Sequence, residues 1–240
     1  MDYEEINYGS VTREQQLNSS LAFPVLMRKV YLWMTLALVI TGMTAYYVAT
    51  TPALLSVIFG NSMVMWGLII AELALVFGVS AAINKLSLTT ATLLFVIYSV
   101  LNGATLSTIL LIYTAESVGM VFLITAATFA AMAVYGYVTK KDLTSWGRIL
   151  LMALIGLIIA SIVNIFVHSS GMQLIISYAG VLIFVGLTAY DSQKIKELML
   201  QAPDAGESMQ KLALLGALTL YLDFINLFIH LLSILGDRRN

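Results

Sequence analysis

Cysteine is absent from all 240 positions, which excludes disulfides, thiolate metal sites and cysteine nucleophiles. Proline is almost absent as well, with three residues, so little in the chain interrupts a helix. Charge is scarce: 10% of residues are Asp, Glu, Lys or Arg, where soluble domains carry about 25%. That is too little to cover a surface facing water. Twelve basic residues nearly cancel 13 acidic ones, for a net charge of -1, and no basic run is long enough to hold nucleic acid. The motifs of common enzymes are missing too. There is no GxGxxG, no P-loop, no His-Glu-x-x-His and no serine set against a histidine in a recognisable pattern. A non-enzymatic protein without a bound cofactor is the expectation.

What is present is apolar. Hydrophobic residues make up 60% of the chain, and the mean hydropathy is +0.93. Seven apolar runs, at 30–49, 62–83, 89–112, 118–138, 147–168, 173–190 and 212–235, each approach the roughly 20 residues that a membrane-spanning helix needs. The sequence thus predicts an all-α integral membrane protein. It divides into a polar, disordered tail over 1–27, with no cleavable signal peptide, and one seven-helix domain over 28–240. Thr51–Pro52 ends the first run, because proline cannot continue the hydrogen-bond ladder. The connection 191–211 is the longest and the only strongly charged one.

Basic residues set the orientation. Arg13, Arg28 and Lys29 precede the first span. Lys85, then Lys140, Lys141 and Arg148, then Lys194, Lys196 and Lys211 fall in alternate loops. The other three loops hold none, so the N-terminus is expected in the cytoplasm. Arg238 and Arg239 sit outside if the seventh segment spans fully and return inside if it is re-entrant. A full span is expected, buried in the centre of the bundle, because this least apolar segment is then surrounded by protein rather than lipid.

Ionisable residues within spans are costly and therefore informative. They are Glu72, Asp223 and His230, with Asp191 and His168 at segment ends. Thr219, Asp223, Asn226 and His230 are spaced 4, 3 and 4 apart and so share one face of the seventh helix. Asp223 lies about 11 residues, roughly 17 Å, into that segment. Asp191 reads from its position as an interfacial charge. It meets Asp223 only if segment 6 runs on as helix or segment 7 starts late. If the two do meet, they cannot both ionise cheaply in a dry site, and the pair holds a proton between them. Such oxygens also suit a hard cation such as calcium, bound transiently. Glu72, Asn226 and His230 are the ion-pathway candidates.

Two runs carry a family resemblance. Gly186-Leu187-Thr188-Ala189-Tyr190-Asp191-Ser192-Gln193-Lys194 resembles the sixth-helix signature of the transmembrane Bax inhibitor motif (Bax inhibitor-1) family, in its bacterial form. The stretch from Ala217 to Phe228, with Tyr221, Asp223 and Asn226, resembles its last helix. Glu72 in Ala-Glu-Leu-Ala-Leu-Val-Phe is similar to a second-helix glutamate, and Arg28-Lys29-Val30-Tyr31 to the approach to helix 1. The resemblance implies a pH-sensitive calcium leak or cation channel of the bacterial inner membrane, gated by Asp191 and Asp223 as a contacting pair. In bacterial relatives a helix-2 arginine can latch the second aspartate. Segment 2 holds no arginine here, which leaves Lys85 as the possible cationic latch. The partners implied are the lipid bilayer, calcium ions and protons. The alternative is a membrane-embedded regulator that binds a membrane protease or a stress-response partner.

Overall fold

The computed structural model describes residues 3–239, with side-chain surroundings from Leu21 onward. Its elements are α1 (Tyr3–Ala49), α2 (Pro52–Phe59), α3 (Ser62–Ala82), α4 (Leu88–Ile112), α5 (Ala115–Val138), α6 (Thr144–Val167), α7 (Ser170–Leu200) and α8 (Glu207–Leu235), with no strand among the described residues. All but α2 contain a stretch long and apolar enough to cross a membrane. The chain is a multi-pass integral membrane protein.

Short polar residues start the helices by satisfying free backbone N–H groups. The Asn61 carboxamide oxygen accepts from Met63 N, and the Ser87, Thr114 and Ser169 hydroxyls accept from Thr90, Ser117 and Met172 N. His168 closes α6 in the left-handed region, at φ 53°. It is exposed on the surface and serves the turn rather than the interior.

Three boundaries differ from the sequence expectation. Ala22, Leu26 and Met27 are buried on α1, so the packed domain begins before residue 28, whereas the side chains of positions 1–20 lie outside the described residues. The connection after α1 contains α2, whose Ile58 packs with Val48 and Ala104. The third difference has the largest consequence. α7 continues ten residues past Tyr190, and only residues 201–206 separate it from α8. Hydropathy stops at Asp191 because the last turns are charged, yet their backbone stays helical.

α8 is the central helix. Two-thirds (67%) of its apolar window is buried, against 6% for α3 and 11% for α6. It packs on α1, α4, α5 and α7. α8 is one uninterrupted helix, long and apolar enough to cross a membrane. Its C-terminal extension pairs with the α4–α5 turn: Thr114 N donates to Asp237 O at 3.0 Å, Arg239 N to Ile112 O at 2.8 Å, and Asp237 N to the Ser117 hydroxyl at 2.9 Å. The Arg239 guanidinium donates to Leu110 O near the C-terminal end of α4, where the helix dipole favours a cation. At the opposite end Lys211 donates to Leu86 O, Lys29 to the Gln210 side chain and Lys196 to Tyr137 O.

Lipid supplies no hydrophobic force between helices, so packing depends on close approach. A Cβ on Gly136 would collide with the Ala189 carbonyl, and one on Gly103 would come 2.5 Å from the Thr41 carbonyl. Gly136→Ala and Gly103→Ala are each expected to lower stability by about 1–3 kcal/mol through overpacking, read as a lower thermal unfolding midpoint in detergent. Gly78→Ala, where nothing lies near the added carbon, is expected to leave it unchanged.

Candidate functional site

The α7–α8 hairpin fixes the site. Gly216 lies against Ile195, Gly180 against His230, and the Ser177 hydroxyl donates to that of Ser233 at 2.8 Å. This antiparallel register sets Asp191 level with Thr219, one turn from Asp223. Side chains on a helix lean toward its N-terminus. The two helices run in opposite directions, so the Asp191 and Asp223 side chains lean toward each other across that turn. Their carboxyl groups come within hydrogen-bonding reach. The depth mismatch left by hydropathy is removed by the longer α7.

Asp223 is 4% exposed, and its Oδ2 receives no hydrogen bond from the described residues. Asp191, half-buried, opens toward a cavity of about 490 Å³. Glu72, Tyr98, Asp191, Thr219, Asp223 and Asn226 all line this cavity, among apolar side chains of α3, α6, α7 and α8. The cavity exists because α3 packs on α4 and α2, and α6 on α7, while α3 and α6 do not pack closely on each other.

Glu72 is held differently. The Thr105 hydroxyl donates to its Oε1 at 2.5 Å and the Asn102 amide to its Oε2 at 3.2 Å. Asn102 Oδ1 in turn accepts from the Tyr221 hydroxyl at 2.9 Å. That hydroxyl lies 2.7 Å from Thr41 Oγ1, which also reaches Ser99 O at 3.0 Å. One buried network therefore joins α3, α4, α8 and α1, and it meets α8 two residues before Asp223. The rings of Phe95 and Tyr98 stand edge-on to Tyr221, with centroids 6.0 and 5.8 Å away. Tyr221→Phe leaves the Asn102 oxygen without its donor. It is expected to cost about 1–3 kcal/mol, seen as a lower unfolding midpoint.

Some expectations are corrected. Lys85 is exposed in the α3–α4 turn and does not line the cavity. The cation that acts on Asp191 is Lys194, one turn along α7, its ammonium 5.8 Å from the Tyr190 ring centroid. An intrahelical i, i+3 spacing was the available signal for it. His230 lies outside the cavity, stacked on Phe184 at 5.7 Å and 24°. Asn226 does line the cavity, with its amide donating to Leu222 O at 2.8 Å. Asn102 and Thr105 as partners of Glu72, and Tyr221 as the partner of Asn102, were not legible, because neutral side chains on separate helices show no spacing.

No group of three metal-ligating side chains occurs among the described residues. A hard cation prefers about 6–8 oxygens, so one held between Asp191 and Asp223 would complete its shell with water, for which the cavity has room.

The family model described as "Inhibitor of apoptosis-promoting Bax1" matches residues 24–240. Inner membrane protein YbhL of Escherichia coli (strain K12) is 50% identical over 214 residues, covering 89% of this chain and 92% of that protein. A protein of Borreliella burgdorferi is 47% identical over 214 residues, with the same shares. The protein RP147 of Rickettsia prowazekii is 49% identical over 127 residues, 53% of each chain.

Proposed function

The chain belongs to the Bax inhibitor-1 family, and from that premise we propose that it is a pH-sensitive leak for calcium or a similar cation, gated by Asp191 and Asp223. The observation that carries this reading is the buried Asp223 carboxyl, whose Oδ2 has no donor among the described residues and whose neighbour is a second carboxyl on the wall of a cavity large enough for several waters. A buried carboxylate left unpartnered is costly, so a proton or a cation has to compensate it. With one proton between them, the two groups hydrogen-bond and hold α7 against α8. Without it, two like charges repel at short range and draw a divalent cation into the cavity. YbhL is named as an inner membrane protein, and we place this chain in the same membrane. The basic residues of the α3–α4, α5–α6 and α7–α8 loops then face the cytoplasm.

The test is calcium entry into proteoliposomes that contain the purified chain, followed by a trapped fluorescent indicator while pH is raised. Flux that climbs with pH supports the gate. Flux no greater than that of protein-free vesicles at every pH overturns it.

A further inference from the structure

The cavity wall includes Asn226 and Phe184. Polar groups continue beyond it. On α8 they follow at Asn226, His230 and Ser233, one per turn. On α7 they are Ser177 and Gln173, with Asn164 of α6 beside them. Ser177 donates to Ser233 at 2.8 Å, and the Asn164 amide donates to the Gln173 side chain at 3.2 Å. This seam leads from Asn226, on the cavity wall, to the α6–α7 turn, where Asn164 Oδ1 accepts from Ser169 N at 3.1 Å. Hydrocarbon depth does not tolerate such a row on lipid-facing helices.

One layer separates cavity from seam. It is the Phe184–His230 stack, which has Phe184 on the cavity wall and His230 on the far side. The ring of His230 can lie flat against α7 only because residue 180 is glycine. A Cβ there would collide with the imidazole. The stack is thus a single aromatic pair between the cavity and the polar groups of the seam.

We propose that the α7–α8 seam past Phe184 and His230 is the outward half of a hydrated-cation route, and that the Phe184–His230 stack is its seal. The identity of the cation rests on the leak reading above; the aqueous character of the seam does not. A cation compensated at Asp191 and Asp223 leaves by way of Asn226. It crosses when the Phe184 ring swings aside, and it exchanges water for the hydroxyls of Ser177 and Ser233. The side chains of Gln173 and Asn164 then hand it to the outer solution.

The lack of native cysteine allows a direct test with single-cysteine variants in oriented vesicles. A charged, membrane-impermeant thiol reagent is added on the side of the α6–α7 turn, and calcium flux is recorded in parallel. Ser177→Cys, although fully buried and on the order of 10 Å from the start of α7, is expected to react. Ile175→Cys, on the exposed apolar face of the same helix, is not. Thr219→Cys, in the cavity, is expected to stay unlabelled until Phe184→Ala is added, which also raises calcium flux. Ser177→Cys reacting no faster than Ile175→Cys overturns the route. Thr219→Cys reacting at full rate behind an intact Phe184 overturns the seal. The expected labelling pattern with no calcium flux, even in Phe184→Ala, supports the aqueous seam and overturns the leak reading instead.

Discussion

Asp223→Asn is expected to leave calcium flux flat between about pH 6 and about pH 8, where the unaltered protein is expected to leak faster as pH rises, by up to about tenfold for each pH unit, the limit for the loss of one proton. The amide keeps the size of the carboxyl and its hydrogen bond to Asp191, but it can no longer lose a proton. The charge that repels Asp191 never forms, and α7 and α8 stay together. Asp191→Asn is expected to flatten the profile in the same way, because the two groups titrate as a pair. The double variant is then no flatter than either single one. Two variants that retain the full pH dependence would remove the proton from the mechanism. Additive effects would instead make the two carboxyls independent sites.

The second large effect is on stability and runs against intuition. Asp223→Leu is expected to stabilise the folded protein by about 1–4 kcal/mol, as when buried charged groups are replaced by apolar ones of similar volume, visible as a higher unfolding midpoint in detergent. Asp223 Oδ2 has no donor among the described residues to lose, and the adjoining cavity accepts the larger side chain. Glu72→Leu is the contrasting case. Both Glu72 oxygens have donors, in Thr105 and Asn102, so its removal strands a half-buried and a buried donor and is expected to destabilise by about 1–3 kcal/mol. Equal and opposite outcomes from two acids on one cavity wall would mark Asp223 as retained for function and Glu72 as a structural tether. A destabilised Asp223→Leu variant would mean that the hydrogen-bonded pair stabilises the bundle by more than the burial of its carboxyls costs.

The tether explains how the cavity persists. Among the described residues α3 packs closely on α4 and α2, and Glu72 anchors it to Asn102, which Tyr221 ties to the central helix. Movement of α8 at Asp223 is therefore felt two residues away by the hydroxyl that orients the Glu72 partner. The same helix carries Phe224 on its other side, where it meets Phe122 and Phe129 at 5.4 and 5.5 Å. α8 thus has a polar face toward α3 and α7 and an aromatic face toward α5.

The sequence by itself determined the solvent and the span count, because lipid contact is written into hydropathy, one residue at a time, and seven runs of the right length allow few other solutions. It also determined that α8 lies at the centre, since Thr219, Asp223, Asn226 and His230 on one helix cannot all face hydrocarbon. Only the tertiary structure decided which polar residues meet. Whether Asp191 reaches Asp223 depended on ten further residues of α7, whose charge reflects the loops they pass and says nothing of their hydrogen-bonded backbone. That Lys85 stands apart while Lys194 acts on Asp191, and that His230 lies behind Phe184, follow from helix rotation and register. Those are set by glycines such as Gly136 and Gly180 against particular neighbours, and such contacts between distant segments leave no local mark in the chain.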